Sequence, residues 1–260
     1  MPILTWEAHG FTTVDILRGT KETYLRDGRH MAVGDYIEEF AAGACEIAEK
    51  TETPVFIRVL HEMNGNWFSW GQSYEDEDGN RPNTNENYKR AWNAIRAEFV
   101  SRCPPGLVKF VWAVNHFSVG DGADFTGTYP GDGQVDYASI DGYNWGDNAG
   151  WGWQTFDEIF YQSYCAVAGV SGRDMLVAET ASSEKGGSKA EWIEDMWERF
   201  HAYPRLKGLV YFNDAKHEVE IDGRMDWPID SSPSATRAFR EGAEAMKTEA
   251  FYEQRPGSPC

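Results

Sequence analysis

A single α/β domain of the (β/α)8 barrel type, spanning residues 1–260, is predicted by three observations. Apolar, β-branched runs alternate with amphipathic helical stretches along the chain, the pattern of parallel strands joined by crossover helices. No Gly-rich phosphate loop follows the first strand, which argues against an open doubly wound sheet. Polar, chemistry-bearing residues instead follow several different strands: Trp6-Glu7, His61-Glu62, Asn115-His116, Tyr143-Asn144-Trp145, Glu179 and Asn213-Asp214. A barrel gathers the C-terminal ends of its strands into one mouth.

Six strands are expected, at residues 3–6, 55–60, 108–114, 137–143, 175–178 and 206–212. Residues 10–34 offer no convincing pair of strands. Asp35 is expected to cap a helix whose apolar stripe is Ile37, Phe40, Ala41, Ala44, Ile47 and Ala48. Tyr88, Trp92, Ile95 and Phe99 recur at helical spacing in the next helix. Phe156, Ile159, Phe160 and Val167 mark a third, stopped at Gly169. Ser188 and Glu191 have capping-box spacing ahead of Trp192, Met196 and Phe200. Ser232-Pro233 opens the last helix, with proline at a permitted first-turn position. The tail 254–260 is expected to be loose.

The formal net charge of −18 disfavours nucleic acid and anionic membranes, because phosphate binding needs clustered Lys and Arg. A neutral polymer is compatible with it. No apolar run approaches the roughly 20 residues of a membrane span, and the first residues show neither a basic region nor a long apolar one. The 11 Trp, 12 Tyr and 14 Phe exceed what a core alone asks for and suit a surface that stacks on sugar rings. Cys45, Cys103, Cys165 and Cys260 show no CxxC spacing, so no metal site is expected. Free buried thiols are the expectation for the first three, with a Cys45–Cys103 pairing between adjacent helices left open. The acidic loop Glu75-Asp76-Glu77-Asp78-Gly79-Asn80 places Asn87 where an EF-hand loop has its twelfth-position Glu, so a solvated loop is preferred to a calcium site.

The chemistry concentrates in Arg58-Val59-Leu60-His61-Glu62-Met63-Asn64-Gly65-Asn66-Trp67-Phe68, where a buried strand ends in a carboxylate flanked by His, Asn and Trp. A second strand ends at Ala178-Glu179-Thr180. Two strands each ending in Glu match what a glycosidase needs; a retaining one holds its carboxyls about 5–5.5 Å apart. An acid must be protonated at rest, so enclosure and a neighbouring charge are expected to raise the Glu62 pKa. Trp67 and Trp145, on loops leaving their strands, are candidate stacking platforms, and Asn115 either binds a sugar hydroxyl or braces a loop. Arg58 either orients Glu179 or satisfies buried carboxylates, and His61 either touches the sugar or is structural. Trp6 and Glu7, with His9, would line the same mouth, although Trp6 equally suits the core. No cofactor is needed for glycosyl transfer to water.

These motifs resemble glycoside hydrolase family 26, within the barrel clan of retaining glycosidases. The likeness rests on Thr5-Trp6-Glu7, the segment from Arg58 to Trp67, Trp112-Ala113-Val114-Asn115, Tyr129-Pro130-Gly131-Asp132, Ile140-Asp141-Gly142-Tyr143-Asn144-Trp145 and Ala178-Glu179-Thr180, in the family's order. It implies Glu62 as general acid/base and Glu179 as nucleophile, after the fourth and seventh barrel strands, with Tyr143 bonded to the nucleophile. It also implies that residues 3–6 are the family's third strand. A barrel lacking its first two strands, truncated or completed by a partner such as a second copy, is therefore expected. The implied activity is endo-hydrolysis of a neutral β-glycan, with β-1,4-mannan first and mixed-linkage β-1,3-1,4-glucan next. The strand ending Tyr211-Phe212-Asn213-Asp214 lacks the Trp expected of the mannan branch. A non-catalytic carbohydrate-binding protein is the alternative of a different class. Secretion is implied by the resemblance alone.

Overall fold

A computed structural model describes residues 2–24, 28–215, 217, 218, 223–247 and 260. The chain divides into two compact units, Met1–Ser139 with Val170–Arg173, and Ile140–Gly169 with Asp174–Cys260.

The first unit begins with β1 (Ile3–Trp6), α1 (Thr13–Arg18), the short strands β2 (Glu22–Tyr24) and β3 (His30–Ala32), and α2 (Val33–Thr51). It continues with β4 (Val55–Val59), α3 (Asn85–Arg102), β5 (Val108–Asn115) and a 3-10 turn at Phe125–Thr128, and it enters β6 (Tyr137–Asn144). The second unit holds the rest of β6, then α4 (Phe156–Val170), β7 (Met175–Ser182), α5 (Lys189–Phe200) and β8 (Leu206–Tyr211). A short pair, β9 (His217–Glu218) and β10 (Gly223–Arg224), precedes α6 (Pro233–Ala245).

The main sheet has six strands, hydrogen-bonded in the order β1-β4-β5-β6-β7-β8. Pairing is parallel for β1 with β4, β4 with β5, and β7 with β8. All six expected strands are there, and the architecture is of the (β/α)8 class, with six barrel strands among the described residues. The 10–34 stretch holds α1 and the β2–β3 pair, which forms a separate two-stranded sheet.

Local chemistry explains most boundaries. Thr12 and Asp15 form a reciprocal capping box at α1. Thr84, Ser188 and Ser232 cap α3, α5 and α6 through their hydroxyls. Asp35 does not cap α2. That helix starts earlier, because the Val33 and Gly34 N–H groups donate to the Lys21 and Gly19 carbonyls at 2.9 and 3.0 Å, leaving Asp35 in the first turn. There its charge still complements the helix dipole. Gly169 does not stop α4, which runs one residue further.

In the first unit, Trp6 packs on Tyr36 and Phe40 of α2, Phe40 on Phe99, and Phe99 on Phe110. The expected α3 stripe, Tyr88, Trp92, Ile95 and Phe99, is fully buried. In the second, Phe156 lies against Phe160, Trp192 and Tyr203. The α2 stripe departs from expectation at Ile47, which is exposed.

The cysteines are not free thiols. Cys45 and Cys103 are bonded, joining α2 to the end of α3, and Cys165 on α4 is bonded to Cys260. Packing of α2 on α3 brings the first pair to a Cα separation of 5.1 Å, and the second pair stands at 5.6 Å, distances a disulfide spans. Of the tail expected to be loose, residues 254–259 lie outside the described residues and Cys260 is covalently anchored. No helix among the described residues is long and apolar enough to cross a membrane.

Replacing Cys45 and Cys103 together by Ala frees a 58-residue separation in the unfolded chain. It is expected to lower unfolding stability by about 2–4 kcal/mol, read as a lower urea midpoint with an intact native circular-dichroism spectrum.

Candidate active site

At the end of β4 the backbone leaves strand geometry abruptly. Leu60 and Glu62 both take φ = 50°, left-handed values for residues that are not glycine. Such conformations cost about 1–3 kcal/mol each and persist only where neighbours enforce them. Here the Tyr88 hydroxyl donates to the Leu60 carbonyl at 3.1 Å, the Trp70 indole donates to the His61 carbonyl at 2.7 Å, and the Glu62 N–H donates to the Ala113 carbonyl at 3.0 Å.

The Glu62 side chain is buried and bracketed by two neutral donors. The Asn115 amide donates to Oε1 at 2.8 Å and the Trp67 indole N–H to Oε2 at 2.7 Å. Asn115 thus braces the carboxylate, a contact that neither of the roles expected for it named. Trp67 keeps 44% of its surface exposed while holding Glu62, so one side chain serves as both donor and open aromatic face. Its ring lies over Gly65, where a Cβ would clash with the indole, so that glycine is dictated by space.

Two asparagines that sequence reasoning passed over hold this loop. Asn64 donates to the Asn115 and Phe117 carbonyls at 2.9 and 3.0 Å and accepts the Asn115 N–H at 2.9 Å. Asn83 donates to the Ser69 and Gly71 carbonyls, both at 2.9 Å, and accepts from the Thr13 N–H and hydroxyl. Both are buried, and in a sequence a buried amide looks like any loop asparagine.

The other candidates of the first unit separate. Arg58 is buried and donates through Nε to Thr5 Oγ1 at 3.0 Å, its register partner on β1. His61 is buried against Phe68 and Trp70, with Nε2 3.9 Å from Glu7 Oε1. Glu7 is half-exposed and lies 2.6 Å from His9 Nε2. Trp6 takes the core role, buried under α2.

In the second unit Glu179 lies inside β7, which runs on to Ser182. The β7–β8 register shifts between Val177 and Thr180, so Glu179 sits at a ladder irregularity. Bulges of this kind re-aim side chains next to active sites. The Tyr143 hydroxyl donates to Glu179 Oε2. Tyr143, Trp145, Tyr211 and Phe212 pack on a buried cluster of Ala181, Met225 and Trp227. Trp227 lies 5.3 Å from Tyr143 and 5.2 Å from Trp145, so it is the floor on which both rings pack.

That floor is tied down by Lys189, a fully buried lysine the sequence does not flag. Its ammonium donates to the carbonyls of Asp226, Trp227 and Pro228 at 2.5, 3.0 and 2.8 Å and to Ser231 Oγ at 2.9 Å. Burial pushes its pKa down to about 8, against the pull of Glu184, Asp226 and Asp230. Elsewhere Asp76 curls its acidic loop by accepting the Asp78 and Asn80 N–H groups, which hold its carboxyl below the usual range.

Lys189→Met strands several carbonyls and is expected to cost about 1–3 kcal/mol in urea unfolding. Between pH about 8 and 10.5 the unfolded wild type holds a proton that the folded one has released. Its stability relative to the variant should therefore rise across that window.

The family model for glycosyl hydrolase family 26 matches residues 16–192. Endoglucanase H of Acetivibrio thermocellus is 37% identical over 246 residues, which cover 94% of this chain and 24% of that protein. A mannan endo-1,4-beta-mannosidase of Bacillus subtilis is 35% identical over 109 residues, 41% of this chain and 28% of its own. A solved Bacillus subtilis mannanase shares the fold, with a TM-score of 0.52 at 20% identity over 79% of this chain and 52% of that one. The chain spans about a quarter of the length of these two curated relatives. The matched span includes Glu62, Trp67, Asn115, Tyr143 and Glu179, and the chain belongs to glycosyl hydrolase family 26.

Proposed function

We propose that this chain carries a retaining endo-β-glycosidase site for a neutral β-linked polysaccharide, with Glu62 as acid/base and Glu179 as nucleophile. The observation that carries this reading is the contrast between the two carboxylates. Glu62 is enclosed, which disfavours its charged form, while an amide and an indole fix where its oxygens point, an arrangement suited to handing a proton to the leaving oxygen. Glu179 is more open, and the Tyr143 hydroxyl holds one of its oxygens in place, as a nucleophile aimed at the anomeric carbon requires. In the first step Glu179 attacks the anomeric carbon as Glu62 protonates the departing oxygen. In the second, Glu62 takes a proton from water as that water displaces Glu179.

Tyr143 orients Glu179, while Trp67 and Trp145 offer stacking faces. Arg58, His61 and Glu7 act around the Glu62 strand. Two features favour a glucan over mannan as the polymer: the relative matching nearly the whole chain is named an endoglucanase, and Phe212 stands against Tyr143 where the mannan branch is expected to carry Trp. Two disulfides support an oxidising compartment and hence export.

Reducing-sugar release from mixed-linkage β-glucan and β-mannan, assayed in parallel, tests the proposal. Activity should appear on glucan first and vanish in Glu179→Ala. Glu62→Gln should lose about 10²–10⁴-fold in kcat on the polymer. Binding that survives Glu179→Ala, with no turnover in wild type, would make this a carbohydrate-binding protein instead. Tyr143→Phe removes one hydrogen bond to a charged group, about 1.5–3 kcal/mol. Its kcat should fall roughly ten- to a hundredfold with little change in KM.

A further inference from the structure

We propose that Trp151 is a stacking platform for the polysaccharide, a subsite that holds the chain beyond the sugar being cleaved at Glu179. This rests on the glycosidase reading above and adds to it a residue that sets chain-length preference.

The first observation is exposure. Trp151 leaves 57% of its surface open, whereas Trp145 is half-buried and Trp227 wholly buried. Leaving an indole in water forgoes the gain of burial, and exposed apolar surface with a polar rim marks ligand grooves.

The second is how the loop presents it. Gly146 and Gly152 bridge antiparallel, folding the segment between them into a closed turn. The Asn148 N–H and side-chain amide both donate to the Trp145 carbonyl, at 3.2 and 3.1 Å, and the amide also reaches Ser183 Oγ at 2.8 Å. The Asp147 N–H donates to the Lys185 carbonyl at 3.1 Å. Gly146, at φ = 55°, sits so close to that carbonyl that no side chain fits there. These bonds fix the loop on its own scaffold.

The third is continuity. Trp151 stands edge-on to Trp145 at 6.5 Å and 87°, Trp145 lies 6.3 Å from Tyr143, and Tyr143 donates to Glu179. A run of rings therefore leads outward from the nucleophile. The chain neighbours Asp147, Asn148, Ala149, Gly150 and Gly152 supply hydrogen-bonding groups, and the aromatic surface beside them is the Trp145 ring. A protein partner needs a wider apolar centre. A sugar ring needs one flat apolar face and polar neighbours for its hydroxyls.

The test is kcat/KM for wild type and Trp151→Ala on a ladder of oligosaccharides cut from the polymer that wild type degrades, with thermal unfolding of both proteins alongside. The melting temperature should not move. The variant should lose about tenfold in kcat/KM on long substrates, carried by KM, and nothing on the shortest one cleaved. That loss corresponds to ~1.4 kcal/mol of stacking. Trp151→Phe should recover most of it. Equal kcat/KM at every length, or the same loss on the shortest substrate, would overturn the proposal. If wild type cleaves no β-glycan, the glycosidase reading fails separately, and affinity electrophoresis in glucan and mannan gels decides on the platform. Retardation of wild type that weakens in Trp151→Ala keeps it, and equal migration of the two removes it.

Discussion

Burying the Glu62 carboxylate at the end of β4 is the constraint from which the polar architecture of the first unit follows. A carboxylate taken out of water costs several kcal/mol unless donors replace its hydration. Asn115 and Trp67 are two such donors, and each must itself be held. Asn64 clamps Asn115 through both its backbone groups, and Gly65 leaves room for the Trp67 ring. Asn83 then ties the loop to α1, far away in sequence. The left-handed Leu60 and Glu62 are the strain this network offsets. A loop so heavily bonded has little freedom to let the carboxylate drift, as the acid/base role proposed for it requires.

The second unit solves a similar problem with different material. Glu179 accepts a phenolic hydrogen bond from Tyr143, and that phenol is set by aromatic packing. Trp227 supports Tyr143 and Trp145 from below, and its backbone is gripped by the Lys189 ammonium. A buried lysine is unfavourable in isolation, as its depressed pKa shows. Three carbonyls and a hydroxyl supply the compensating bonds, and the loop from Asp226 to Ser231 takes its form around that cation.

The sequence by itself determined the strands, the main helices and the polar residues that gather at the strand ends. Apolar periodicity and capping residues are local signals, and strand ends marked by His-Glu and Ala-Glu-Thr stand out against them. Its misses were of three kinds. Asp35 failed as a helix start because the Lys21 and Gly19 carbonyls decide where α2 begins, and α4 runs one residue past Gly169. The thiols expected to be free are paired, since pairing depends on how closely the helices pack. Trp6, which suited either mouth or core, went to the core because α2 covers it with Tyr36 and Phe40.

Only the tertiary structure decided what holds the carboxylates. Asn83 and Lys189 carry no motif and Asn64 sits in one without a role of its own, and the importance of all three comes from being buried where several chain segments converge. Asn115 looked equally fit to bind sugar or brace a loop, and its distance to Glu62 assigned it to the carboxylate. Trp151 and Trp227 are alike as letters, yet one is open to solvent and the other is sealed under two rings. Composition and spacing report what a side chain is able to do. Burial and hydrogen-bond geometry, which arise from contacts between distant parts of the chain, decide which of those things it does.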